Sequence, residues 1–169
     1  MEDTDLWGED CENSRAITQA SAEFLGIPGF DAAVPNDLDY ELASAMLGEM
    51  ARGPRSSMPL YSGHSLVPSR FAEFIPGRTV RLPLTAATVD EYEAAQYTIG
   101  WGDMNGGKGT VFIFEEGSPY LNYGAIEDDE KVVAGDFEVV SVTEKYQEMS
   151  FGEERVVHCV RLRSASPET

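Results

Sequence analysis

Carboxylates crowd one short stretch of this chain, Glu127-Asp128-Asp129-Glu130, which runs directly into Lys131-Val132-Val133-Ala134 and then Gly135. Adjacent acids raise one another's cost of ionising. Four of them at the lip of a strand read, taken alone, as a solvated acidic turn; what lifts a site reading is their company upstream. Two upstream pieces carry residue types that suit a ligand site. Leu60-Tyr61-Ser62-Gly63 reads as a strand ending at a glycine, where backbone admits close approach. Leu84-Thr85-Ala86-Ala87 reads as the end of another strand, with one hydroxyl, leading into a helix that carries Ala94 and Tyr97.

The elements that must position these pieces follow from periodicity and punctuation. Residues 1–13 are polar and acidic and read as a loose tail. Asn13 or Ser14 can cap a helix over Arg15–Leu25, stopped by Gly26 and Pro28. Asn36 caps a second helix whose Leu38, Leu42, Ala45, Met46 and Met50 fall on one face; Gly53-Pro54 ends it. Strands are expected at 59–63, 78–84, 110–114, 131–134, 137–143 and 155–163, with Phe112 and Phe114 on one face and Val111 and Ile113 on the other. Thr88 and Glu91 have capping-box spacing for a helix carrying Tyr92, Ala95 and Ile99 and ending at Gly100. Gly102–Gly109 lacks the ending of a phosphate-binding loop and reads as a connection. The layout predicts a single α+β domain: a tail (1–13), a helical part (14–57) and a β-rich core (58–165).

Composition narrows the classes. In 169 residues, 30 acids against 12 bases give a net charge of -18, which repels a phosphate backbone and disfavours direct nucleic-acid binding. Cys11 and Cys159 cannot build a disulfide framework, and His64 and His158 lie in separate segments, which argues against a zinc site. The acidic start without a following apolar stretch argues against a signal peptide, and no run reaches membrane-spanning length. The expectation is a soluble, cytoplasmic protein, or one delivered into a host cytoplasm.

In order and spacing, these pieces resemble the toxin-like branch of the ADP-ribosyltransferases. That pattern is a strand with Tyr-Arg-Gly, then Ser-Thr-Ser before a helix, a Gly-Thr-Val-type strand, and Glu-x-Glu before a Val-Leu-Leu-Pro-x-Gly strand. Here Tyr61-Ser62-Gly63, Thr85-Ala86-Ala87, Gly109-Thr110-Val111 and Asp128-Asp129-Glu130 stand in those places, and the likeness spans roughly residues 58–163. It implies N-terminal helices packed on a two-sheet body, NAD as substrate and a protein acceptor of ADP-ribose.

By the same resemblance, Glu130 matches the catalytic glutamate, whose anion favours the oxocarbenium-like transition state as nicotinamide leaves. Asp128 matches the acid that positions the acceptor. Tyr61, Ser62, Gly63 and Thr85 match the NAD-binding positions. The chain departs from the pattern at Ser62, where the family arginine would hold a phosphate with its bidentate fork. It departs again at Ala86 and Ala87, which lack hydroxyls. His64, one step past Gly63, reads as a surface histidine, and Arg70, Arg78 and Arg81 are candidate replacement cations without a defined place. Two readings follow: a mono-ADP-ribosyltransferase, or a protein that kept the fold without the chemistry and binds a partner through its acidic surface, possibly as a nucleic-acid mimic.

Overall fold

The computed structural model describes residues 11–27, 33–98, 107–122 and 130–165. Helices α1 (Cys11–Phe24) and α2 (Asp37–Arg52) come first. Strand β1 (Leu60–Leu66), the short α3 (Pro68–Phe71), β2 (Thr79–Thr88), α4 (Glu91–Gln96), β3 (Lys108–Phe114), β4 (Tyr120–Asn122), β5 (Glu130–Glu148) and β6 (Glu154–Ser164) follow. The class is α+β, as the sequence predicts. The strands form one mixed six-stranded sheet, ordered β2-β1-β3-β6-β5-β4, that curls until β2 also pairs with β5. The two layers expected from sequence are thus two halves of one curled sheet.

Period-two patterning explains the curl. Phe112 and Phe114 of β3 point inward with Leu60, Phe137, Val139, Val160 and Leu162, while Val111 and Ile113 face α4. Helices α1 and α2 cover a second outer patch through Ile17, Ala20, Leu42, Met46 and Met50 packed on Leu84, Val132 and Ala134. Helix α2 is capped by Asn36 in a reciprocal box with Asp39, as its sequence predicts.

Several local expectations need correction. The chain is already helical at Cys11, so Asn13 and Ser14 lie within helix α1 instead of capping it. On α2, Leu38 and Ala45 are exposed; the buried stripe is Asp39, Leu42, Ala43, Met46 and Met50, a helical face rotated by one position. Helix α4 is capped by Asp90, whose side chain accepts from the Glu93 N–H; Thr88 instead accepts from the Asp90 N–H, forming a short turn before the helix. Strand β5 runs unbroken through Gly135, which sits at φ 120° and bends the strand where a turn between two strands is expected.

Two details hold the site-bearing strands. Pro83 lacks an N–H, and the β2–β5 register shifts between Leu82 and Thr85. The backbone released there is satisfied by side chains. Thr18 donates to the Leu84 carbonyl at 3.0 Å, Ser21 accepts from the Leu84 N–H at 3.0 Å, and Thr85 donates to the Pro83 carbonyl at 2.7 Å. The second detail is Gly63, where α4 lies directly on β1: a Cβ there would stand 1.7 Å from the Ala94 carbonyl oxygen.

Gly63→Ala should therefore lift α4 off the sheet and destabilise the fold by at least about 2 kcal/mol, the cost of forced overpacking. Urea denaturation measures it, with Gly48→Ala as the permissive control, since its added Cβ meets only the end of Arg52 at 3.8 Å.

Candidate active site

Strands β1 and β2 share one pair, Tyr61 with Thr88. Beyond it, β1 follows β3 over Leu60–Leu66 and β2 follows β5 over Thr79–Thr88, so the two strands part like the sides of a wedge. The wedge encloses a cavity of about 460 Å³. His64 and Leu66 line one wall, Thr79–Leu82 and Thr85 the other, with Phe74 and Phe112 contributing apolar surface. Arg70, Arg78 and Arg81 also line it.

At the apex, Thr88 is the Cα partner of both Tyr61 and Glu130. Directly paired residues on antiparallel strands share a face. Neighbouring strands lie roughly 5 Å apart, so this row spans roughly 10 Å. Burial, reinforced by the carboxylate of Glu91, raises the Tyr61 phenol above its usual 10.0, against the lowering pull of Arg161 and Lys145; it stays protonated and able to donate. Glu91 is itself held by an ion pair with Lys145. The buried Thr88 hydroxyl contacts the Glu93 carboxylate at 3.4 Å.

Thr85, matched by resemblance to the first serine, lines the cavity but lies off this row. It pairs with Val133, an odd step from Thr88, and so faces the inner side with its hydroxyl committed to Pro83. The hydroxyl beside Tyr61 and Glu130 belongs to Thr88. The signal was present in the sequence, but capping-box spacing assigned Thr88 to the helix instead. Gly63 meets α4, so its small size serves helix packing. Glu127, Asp128, Asp129, Ile99 and Gly100 lie outside the described residues.

Ser62 is 4% exposed and ties the apex together: its Oγ lies 2.6 Å from the Ala86 carbonyl and 2.6 Å from His64 Nε2. A hydroxyl has one proton, and a carbonyl can only accept. Ser62 therefore donates to Ala86 and accepts from His64, which fixes the Nε2–H tautomer and leaves Nδ1 as a lone-pair acceptor. His64 is not a surface residue, as its position after Gly63 suggests; the inward alternation of β1 carries it into the cavity, with its ring 4.9 Å from that of Phe112. Burial lowers its pKa from 6.5 to about 4, so it is neutral at physiological pH.

The cations differ in commitment. Arg81 is engaged by Asp136 at 2.7 Å and by the Leu25 carbonyl at 2.9 Å. Arg70 pairs with Glu73 at 3.4 Å. Arg78 has no ion-pair partner among the described residues.

The fold is that of the toxin-type ADP-ribosyltransferases. Vis toxin, an ADP-ribosyltransferase from Vibrio splendidus, superposes with a TM-score of 0.63 over 98% of this chain and 72% of its own, at 11% identity. The enzymatic component C2-I of the C2 toxin from Clostridium botulinum gives 0.58 over 99% of this chain and 43% of its own, at 9% identity. Exoenzyme S from Pseudomonas aeruginosa, solved with human 14-3-3 protein beta and carba-NAD, gives 0.51 over 96% and 86%, at 12% identity. No family model matches the chain, and no curated protein matches it in sequence. Among the described residues, no helix is long and apolar enough to cross a membrane.

The half-buried imidazole makes a pH prediction. With a folded pKa near 4 and an unfolded pKa near 6.5, the unfolded chain binds more protons at His64 throughout that window. Stability contributed by neutral His64 is thus complete above pH 6.5 and declines as the pH falls towards 4. Carboxylates and His158 titrate as well, so the measurement is the difference in acid-unfolding slope between the parent and His64→Gln. The parent should be the steeper between pH 6.5 and 4, and the imidazole signal assigned to His64 by NMR should titrate near 4.

Proposed function

We propose that this chain transfers ADP-ribose from NAD to a protein side chain. The observation that carries the reading is that Glu130, at the start of β5, meets the Tyr61–Thr88 pair that closes the wedge, in a fold used by ADP-ribosyltransferases; Tyr61 and Thr88 themselves face α4, on the other side of the sheet from the cavity. Glu130 is the first residue of β5, and a carboxylate at a strand terminus is not confined to one face as a mid-strand residue would be. In this reading NAD lies in the wedge, with its nicotinamide ribose at the apex. Glu130 stabilises positive charge on that ribose as the bond to nicotinamide breaks. Asp128 is assigned to positioning the acceptor.

A second reading rests on Ser62. The residue at the arginine position has its one proton bound to Ala86 and its oxygen bonded to His64, leaving no donor for a phosphate. Ala86 and Ala87 likewise offer no hydroxyl. On this reading the domain keeps the fold and binds a nucleotide or a partner without transfer.

Incubation with labelled NAD and a crude lysate separates the two. Transfer by the parent should fall by roughly 100- to 1000-fold in Glu130→Gln, which keeps shape and removes the charge, with an unchanged melting temperature. Labelling that survives Glu130→Gln, or a parent that labels nothing, would rule out the first reading.

A further inference from the structure

If NAD occupies the wedge, its diphosphate needs a cation, because buried phosphate charge left unpaired is costly. Ser62 cannot supply one, and neutral His64 is an acceptor through Nδ1. Arg81 already spends its fork on Asp136, and Arg70 is paired with Glu73. Arg78 is different. Its N–H donates to the Ile75 carbonyl at 2.9 Å and its carbonyl accepts from the Val139 N–H at 2.9 Å, so its backbone is anchored on both sides. Gly77 before it adopts φ 90° and donates to the Val139 carbonyl at 2.8 Å, fixing the turn that brings Arg78 to the cavity. Its exposed side chain makes no ion pair among the described residues.

We infer that Arg78 is the phosphate-binding residue of the wedge, holding the diphosphate of a nucleoside diphosphate moiety where the family pattern uses an arginine on β1. This rests on the wedge being the dinucleotide site of the proposed transferase. The adenosine half then lies against Phe74 and Phe112, whose ring centroids are 5.0 Å apart with the planes tilted by 41°. An anchored backbone with a guanidinium that no described carboxylate engages is the combination a bidentate phosphate contact requires.

ADP is the probe, titrated by calorimetry into the full chain, with adenosine as the uncharged comparison. The parent should bind ADP more tightly than adenosine. Arg78→Gln should weaken ADP by roughly 10- to 100-fold and leave adenosine unchanged, as loss of a charge-assisted contact predicts. Arg78→Lys should recover part of the loss, because it returns a point charge without the fork. Arg78 is exposed, so unchanged melting confirms an intact fold. Equal ADP affinity in parent and Arg78→Gln, or a parent that does not bind ADP, overturns the inference whether or not the chain labels proteins. Arg78-dependent ADP binding with no labelling upholds it and sinks the transferase reading instead.

Discussion

Everything at the site depends on one backbone pairing. Among the described residues, strands β1 and β2 pair along the backbone only at Tyr61 and Thr88, because each has a longer partner: β1 has β3 and β2 has β5. Backbone donors and acceptors must be satisfied where they are buried, and these outer ladders satisfy most of them, so the strands are free to part. The gap that opens is the cavity. At the apex the loose end is closed by a side chain, with the Ser62 hydroxyl taking the Ala86 carbonyl across the seam. Thr88, shared between two ladders, brings Tyr61 and Glu130 into one row although 69 positions separate them in the chain (130 minus 61).

The apex is held from outside by two helices that solve different backbone problems. Helix α4 sits on Gly63, and contact that close is open only to a residue without a Cβ. Helix α1 supplies Thr18 and Ser21 to the bulge that Pro83 forces on β2. Without those hydroxyls, the carbonyl and N–H of Leu84 would be buried unpaired at roughly 1–3 kcal/mol each. The N-terminal helices are thus part of the body that shapes the wedge, even though sequence reading sets them apart as residues 14–57. Thr85 belongs to the same repair, which is why its hydroxyl is absent from the apex row.

What sequence made legible was local. Alternation in β3 placed Phe112 and Phe114 on one side and Val111 and Ile113 on the other, and the Asn36 cap was readable from its residue type. The order of short motifs led to the fold. What it could not provide depends on pairing between distant segments. Gly135 reads as a turn because glycine usually punctuates strands, yet pairing with β2 and β6 carries β5 straight through it. His64 reads as a surface residue because it stands one step past Gly63; only the splay of β1 from β2 creates an interior for it to face. Thr88 satisfied two local patterns at once, and the register decided between them. Asp128 lies outside the described residues, so its match to the acceptor-positioning acid rests on order and spacing alone.

Charge bears on how such a wedge could admit an anion. The chain carries -18 overall, which repels a diphosphate at long range. Salt at physiological strength screens charges beyond about 8 Å, so the field at the cavity is set by its own lining. Three of the chain's 12 lysines and arginines line that cavity, with Glu73 and Asp136 beside them. Those two carboxylates lie 3.4 Å from Arg70 and 2.7 Å from Arg81, respectively, and offset much of their charge. The local positive potential therefore rests chiefly on Arg78. A residue that supplies local attraction against a repulsive global field should matter more for holding an anion than for steering it in. Its loss would then appear mainly in the dissociation rate, because short-range contacts act on the bound state while the long-range field acts on encounter.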